Sequence, residues 1–225
     1  MSLEQVIVAV MTKYPDAGKV KTRLTPVLAP EVAARVHQVF VTHIVDRLKT
    51  LNPLLLKIVC DPPEKLNAMR EMLNIDAEYL PQCAGDLGAR LADVHASCTK
   101  PILFLGVDGP DVPVRHIERA AQSLSDADVV VGPSDDGGYW CLGLAPRVDA
   151  KRLLCDIAWS SGRERGQTVE RAKSLGFRVV ETDRWDDVDR PDDLKRLCDR
   201  LKKSEEPEST NLLERLLFLP KEVLS

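Results

Sequence analysis

Val6-Ile7-Val8-Ala9-Val10-Met11, followed at once by Thr12-Lys13-Tyr14-Pro15-Asp16-Ala17-Gly18-Lys19-Val20-Lys21-Thr22-Arg23-Leu24, is the stretch that decides how the chain folds. A short β-branched run reads as a buried strand, and the polar stretch behind it reads as the loop at that strand's carboxyl end. In open α/β sheets, ligands sit beyond the carboxyl ends of the strands. Lys13, Lys19, Lys21 and Arg23 place four cations in eleven residues of a chain whose net charge is -4. Val20 and Leu24 between them can anchor the loop while the cationic heads converge. Lysine supplies point charges and arginine a forked donor, the two kinds of group that bind polyphosphate. A solvated basic turn has the same composition, so the rest of the chain has to choose between the two.

Working outward, β-branched runs recur at 54–60, 78–80, 102–106, 129–132, 139–143 and 179–181. Helical patterns lie between them at 31–50, 64–73, 87–97, 114–124, 163–175 and 192–203. This alternation predicts an α/β fold with three layers, helices on both faces of a mostly parallel sheet. The segment between 132 and 139 is too short for a helical crossover. One strand of that pair must therefore run against the others, and the sheet must be mixed. Asp86 is placed to cap the helix at 87, and Pro113 suits a helix entrance. Residues 1–203 are expected to form the domain and 204–225 a linker with a short helical tail. Ser204 to Ser209 have linker composition, while Leu212, Leu213, Leu216, Leu217 and Leu219 make an apolar helical piece. Docking of that piece on the core is the expectation, with a subunit contact, and so a homodimer, as the other reading.

Composition narrows the classes. The 225 residues suffice for one sizeable core, 44% are hydrophobic and 29% charged, and the acidic balance argues against nucleic-acid or membrane partners. The first apolar run has no basic leader and no small-residue cleavage site, so a cytoplasmic location is expected. Six cysteines without a C-x-x-C pair read as reduced thiols, not a zinc site. Two phosphate-binding loops are excluded. Gly18 is the only glycine after the first strand, where the dinucleotide fingerprint needs three, and Gly18-Lys19 is followed by Val20, where a P-loop has serine or threonine.

Three more stretches carry candidate chemistry. Leu105-Gly106-Val107-Asp108-Gly109-Pro110-Asp111 puts a carboxylate at a strand end, suited to a hard cation, although an Asx turn has the same pattern. Ser134-Asp135-Asp136-Gly137-Gly138-Tyr139-Trp140 is a glycine-rich turn before an aromatic pair. Trp185-Asp186-Asp187-Val188-Asp189-Arg190-Pro191-Asp192-Asp193-Leu194 is acidic, as helix N-termini often are. The four histidines (37, 43, 95 and 116) lie outside these stretches and read as structural.

The order of these pieces, with Gln82-Cys83-Ala84-Gly85-Asp86-Leu87-Gly88-Ala89-Arg90, resembles the GT-A nucleotide-diphospho-sugar transferase superfamily. The nearest likeness is to the radical-SAM/selenodomain-associated transferases of bacteria, and it extends to about residue 203. The resemblance implies a phosphate-binding loop with Lys13, Gly18, Lys19, Lys21 and Arg23. It implies that Gln82, Leu87 and Gly88 read base and ribose, and that Asp136, Gly137, Gly138 and Tyr139 approach the sugar or acceptor. Asp108 and Asp189 are then the ligands of Mg²⁺ or Mn²⁺, with Lys19, Arg23 and Asp108 the catalytic groups. Asp108 and Asp111 lack the Asp-x-Asp spacing of typical glycosyltransferases. This and the likeness of Lys19 to Leu24 to 2-phospholactate guanylyltransferases favour nucleotidyl transfer from a nucleoside triphosphate to a small phosphorylated acceptor. Glycosyl transfer from a nucleotide sugar is the alternative, with Tyr139, Trp140 and Trp159 available to a sugar ring. A non-catalytic nucleotide-binding relic is the third reading, disfavoured because both carboxylates are present.

Overall fold

The computed structural model describes residues 2–53 and 55–224. The apolar run at the start becomes β1 (Ile7–Lys13). The other strands are β2 (Leu55–Asp61), β3 (Glu78–Pro81), β4 (Ile102–Leu105), β5 (Val129–Pro133), β6 (Tyr139–Leu144) and β7 (Val179–Glu181). Each matches an expected strand to within a residue or two, and Leu54, the expected first residue of β2, lies outside the described residues. The sheet order is β3-β2-β1-β4-β6-β5-β7. Only β6 runs antiparallel, against both β4 and β5, and the other pairs are parallel. The short connection 134–138 forces that reversal, as the sequence implied.

Helices α1 (Pro30–Thr50), α2 (Leu66–Leu73), α3 (Leu87–Ala96), α4 (Val114–Ser123), α5 (Ala150–Leu154), α6 (Glu164–Ser174) and α7 (Pro191–Lys203) connect the strands. The period of two in β1 sorts the layers. Val8 and Val10 pack with Val41, Ile44 and Leu48 of α1, Met69 of α2 and Ile117 of α4. Ile7 and Ala9 face the opposite way, toward Leu91 of α3, Leu153 of α5 and Val169 of α6. Asp86 does cap α3, accepting from the Ala89 N–H at 2.8 Å. Two expectations need correction here. Residues 63–65 form a 3₁₀ turn before α2, because Pro62 and Pro63 together restrict the backbone there. The short helix α5, capped by Asp149, had no readable period in so few residues.

A third cluster lies beyond α1. Ala33, Val36 and Phe40 of α1 pack with Leu194, Leu197, Cys198 and Leu201 of α7. Helices α8 (Pro207–Arg215) and α9 (Lys221–Leu224) close this cluster with Leu212, Leu216, Leu219 and Val223. Residues 207–210, read above as linker, are thus the first turn of a helix. Pro207 at the start and Glu208 in the first turn are helix-opening residues as well as linker residues, and burial of Leu212 and Leu216 decides between the two. Leu24, Leu28 and Val188 are buried in the same cluster, so the basic loop and the acidic segment are anchored in one place. No helix among the described residues is long and apolar enough to cross a membrane.

Candidate active site

The loop after β1 doubles back on itself so that Lys21, with φ of 47°, occupies the left-handed region. Its two flanks, Val20 and Leu24, are buried, which turns Lys13, Lys19 and Arg23 outward and Lys21 inward. Lys13, Lys19, Lys21 and Arg23 all line a cavity of about 360 Å³ beneath the loop, joined on the far wall by Gln82 and Arg90. A second cavity, of about 530 Å³, opens between the ends of β4 and β6 and is lined by Asp136, Gly138, Tyr139, Trp159 and Glu164. Arg23, Leu87, Gly106, Asp108 and Asp189 line both. The two cavities therefore meet at a wall that carries one arginine and two carboxylates.

That meeting depends on one backbone contact. The Val188 N–H donates to the Asp108 carbonyl at 2.8 Å and so lays the acidic segment 187–189 alongside the end of β4. Asp193 caps the same segment, its Oδ2 accepting from the N–H groups of Asp189 (3.0 Å) and Arg190 (2.7 Å). On the other side, Arg47 of α1 donates to the carbonyls of Pro110 (2.9 Å) and Val112 (2.6 Å) and to Glu208 of α8 (2.6 Å). Asp111 takes Arg200 of α7 at 2.8 and 3.2 Å and the Trp185 indole N–H at 3.1 Å. Asp111 is thus a brace for the loop after β4, which explains a second aspartate without giving it a place at the site.

The electrostatics are those of an acid cluster held in check. Asp108 has protein on all sides, which by itself favours the neutral acid, yet Lys21 outweighs this and holds its carboxyl below the usual range. Its side chain remains 48% exposed, to the cavities. Lys21 Nζ bonds Asp108 Oδ1, lies 3.7 Å from Asp189 Oδ1 and donates to the Val188 carbonyl at 2.6 Å. Arg23 pairs with Asp189 Oδ2 at 2.7 Å. Asp187 lacks such a partner: burial, then Asp136, with Asp189 and Asp108 beyond, push it up to about 6. Hard carboxylate oxygens converging on a cationic group suit a divalent ion. Among the described residues no group of three or more His, Cys, Asp or Glu is set to hold a metal. An ion here would draw on the two carboxylates and complete its shell from phosphate and water, as Mg²⁺ commonly does.

Several residues singled out from sequence sit differently from the expectation. Gln82 lines the smaller cavity, but its amide donates to the carbonyls of Thr12 (3.1 Å) and Val59 (3.0 Å) and accepts from Arg90 (2.8 Å). It ties the ends of β1 and β2 together and has no free edge for a base. Gly88 lines neither of these two cavities; a Cβ there would lie 2.4 Å from the Leu154 carbonyl, so the glycine serves the packing of α3 on α5. Gly137 likewise permits the 134–138 turn to approach Gly162, whose carbonyl would be 2.0 Å from a Cβ. Gly18, at φ of 74°, only turns the basic loop. Asp136 Oδ1 accepts from the Gly138 N–H at 2.8 Å and shapes the turn while lining the larger cavity. Sequence reasoning missed Arg90, Asp187 and Glu164 as lining residues. The first two stand inside stretches quoted for other residues, but nothing around Glu164 signalled a site.

Relatives can now be set against this geometry. The chain is 26% identical over 190 residues to the 2-phospho-L-lactate guanylyltransferase of Methanopyrus kandleri, covering 80% of this chain and 86% of that protein. A crystal structure from Desulfovibrio desulfuricans G20, assigned to the nucleotide-diphospho-sugar transferases, superposes with a TM-score of 0.84 at 27% identity, over 100% of this chain and 97% of that one. A nucleotidyl transferase from Methanothermobacter shares the fold at a TM-score of 0.61 and 18% identity, over 88% of this chain and 99% of the other. These likenesses place the chain among transferases of this fold. Residues 44–161, more than half of the chain, match the family model described as uncharacterized protein conserved in bacteria (DUF2064), and the chain belongs to that family.

Proposed function

We propose that the protein is a metal-dependent nucleotidyltransferase, moving a nucleoside monophosphate from a nucleoside triphosphate to a small phosphorylated acceptor. The observation that carries this reading is the pair of cavities meeting at Asp108, Asp189 and Arg23. The smaller cavity, rimmed by Lys13, Lys19 and Arg90, suits a triphosphate, and the larger suits the acceptor. An acceptor phosphate oxygen attacks the α-phosphorus, the bond to the bridging oxygen breaks, and pyrophosphate leaves. Catalysis of this kind is mostly positioning and charge neutralisation. Lys13 and Lys19 hold the β- and γ-phosphates, and Arg23 at the shared wall steadies the charge that develops on the reacting phosphate. Asp108 and Asp189 would hold Mg²⁺ or Mn²⁺. When bound, that ion supplies positive charge to the phosphate oxygens. Leu87, 39% exposed at the shared wall, offers an apolar face to a base.

The guanylyltransferase relative makes GTP the first nucleotide to try. We place the protein in the cytoplasm and, on its five ordered motifs, with the radical-SAM/selenodomain-associated transferases. Residues 1–203 hold every site residue named here. Glycosyl transfer is the second reading, supported by the aromatic wall of Tyr139 and Trp159, whose rings meet edge to face at 6.5 Å. The test is a panel of nucleoside triphosphates and nucleotide sugars with Mg²⁺ and sugar- or acid-phosphate acceptors. Release of pyrophosphate is expected, and release of a nucleoside diphosphate from a nucleotide sugar would favour the second reading. Asp108→Asn and Asp189→Asn should each abolish turnover while circular dichroism stays unchanged. A fully active Asp108→Asn enzyme would end this account.

A further inference from the structure

Lys21 differs from the other cations of its loop. Its side chain is 3% exposed, whereas that of Arg23 is 55% exposed. Its ammonium is held by Asp108 Oδ1, by the Val188 carbonyl at 2.6 Å and by Asp189 Oδ1 at 3.7 Å, and it lies 5.3 Å from the centre of the Phe40 ring. An ammonium with three oxygen partners and an aromatic face is a bound cation, not one waiting in solvent for a phosphate. Two of those oxygens belong to the carboxylates read above as metal ligands. A compact ammonium and a divalent ion there would repel each other at a few ångströms in a poorly solvated place.

We propose that Lys21 is the resident counter-cation of the Asp108–Asp189 pair and keeps divalent metal off it until a nucleoside triphosphate arrives. The inference rests on reading that pair as metal ligands. The triphosphate supplies oxygen ligands to the ion and an anionic partner for the displaced ammonium. Lys21 also lines the smaller cavity, and its flexible stem lets the ammonium turn to phosphates bound there. Before the nucleotide binds, the lysine stops the two carboxylates from repelling each other. Metal and nucleotide consequently bind as partners, each favouring the other.

The test is a Mn²⁺ titration followed by electron paramagnetic resonance, with and without GTP. Wild-type protein should bind Mn²⁺ weakly alone and tightly with GTP. Lys21→Gln, which removes the charge and keeps a hydrogen-bond donor, should bind Mn²⁺ without nucleotide about tenfold more tightly than wild type. Lys21→Met, whose apolar stem keeps the contact with Phe40, is a second uncharged variant and should show the same gain. Lys21→Arg should stay as weak as wild type, and Asp108→Asn in the Lys21→Gln background should remove the gain. Uncharged variants that bind Mn²⁺ no better than wild type overturn the inference, while Mn²⁺ binding with GTP leaves the metal pair itself standing. If Mn²⁺ fails to bind even with GTP, the metal reading falls and this inference falls with it.

Discussion

The basic loop divides its labour residue by residue. Val20 and Leu24 are buried and fix the backbone, Lys21 is spent on the carboxylates, and Lys19 and Arg23 remain at the surface. Lys19→Ala and Arg23→Ala should therefore each weaken binding of a triphosphate ligand by roughly 1–3 kcal/mol, the range for charge-assisted contacts. Unfolding free energy without ligand should move by less than about 0.5 kcal/mol, as for most surface substitutions. Arg23 also holds Asp189 at 2.7 Å, but an exposed pair adds little to stability. Isothermal titration and urea unfolding on the same samples separate the two effects. Nucleotide affinity equal to wild type in both variants would reduce the loop to a solvated turn.

At the scale of the elements, α1 is the hub, with one face on the sheet and the other on α7 and the terminal helices. His43 lies buried in α1, and its pKa is lowered to about 4 by burial first, then by Arg47 and Arg215. Above pH 6.5 the ring is neutral in both the folded and the unfolded chain, so stability there is at its full value. As pH falls below 6.5 the unfolded chain takes up a proton that the folded chain refuses until about pH 4. The resulting loss accumulates to roughly 3 kcal/mol across that window, where it levels off. His37 and His116, also lowered by burial, add to the same slope. Urea unfolding from pH 7.5 to 4 should show His43→Gln losing less stability than wild type by about that amount. Parallel curves for the two proteins would mean that His43 is protonated in the fold. Because Arg215 belongs to α8, the effect also reports on the packing of the terminal helices.

In the molecule as a whole, the site is a seam between distant parts of the chain. Asp108 leaves β4, Asp189 precedes α7, and Arg200 of α7 reaches back to Asp111. Asp111 is buried, with a side chain 7% exposed, so removal of its partner leaves a charge without compensation. Breaking a buried pair costs about 3–5 kcal/mol, and the one-third exposure of Arg200 lowers the expectation for Arg200→Ala to roughly 2–4 kcal/mol. Turnover should fall further than nucleotide affinity, because the loop carrying Asp108 loses its brace while Lys13, Lys19 and Arg90 stay in place. Arg184→Ala, which breaks an exposed pair with Asp135, is the control and should change stability by about 0.5 kcal/mol or less. A thermal melt and a rate measurement on both variants check this, and equal effects would sink the argument.

The sequence by itself determined the layers. The period of two in Val6 to Met11, the helical spacing of Val36, Phe40 and Ile44, and the short 132–139 connection each follow from local geometry. Together they leave one α/β arrangement with a single reversed strand. The sequence also placed Arg23, Asp108 and Asp189 in stretches fit for phosphate or metal, because charged residues next to strand ends stand out without any tertiary knowledge. Other choices belonged to the tertiary structure. Whether 207–210 is linker or helix depends on Leu212 and Leu216 finding α1 and α7. Gln82 and Gly88 are engaged by neighbours far away in sequence, Thr12, Val59 and Leu154. Lys21 and Lys19 are two residues apart with the same side chain, and only the fold turns one ammonium inward onto two carboxylates and leaves the other outside. A charge pattern records which groups are present, while the energy of each group depends on burial and on partners that the chain brings together only when it folds.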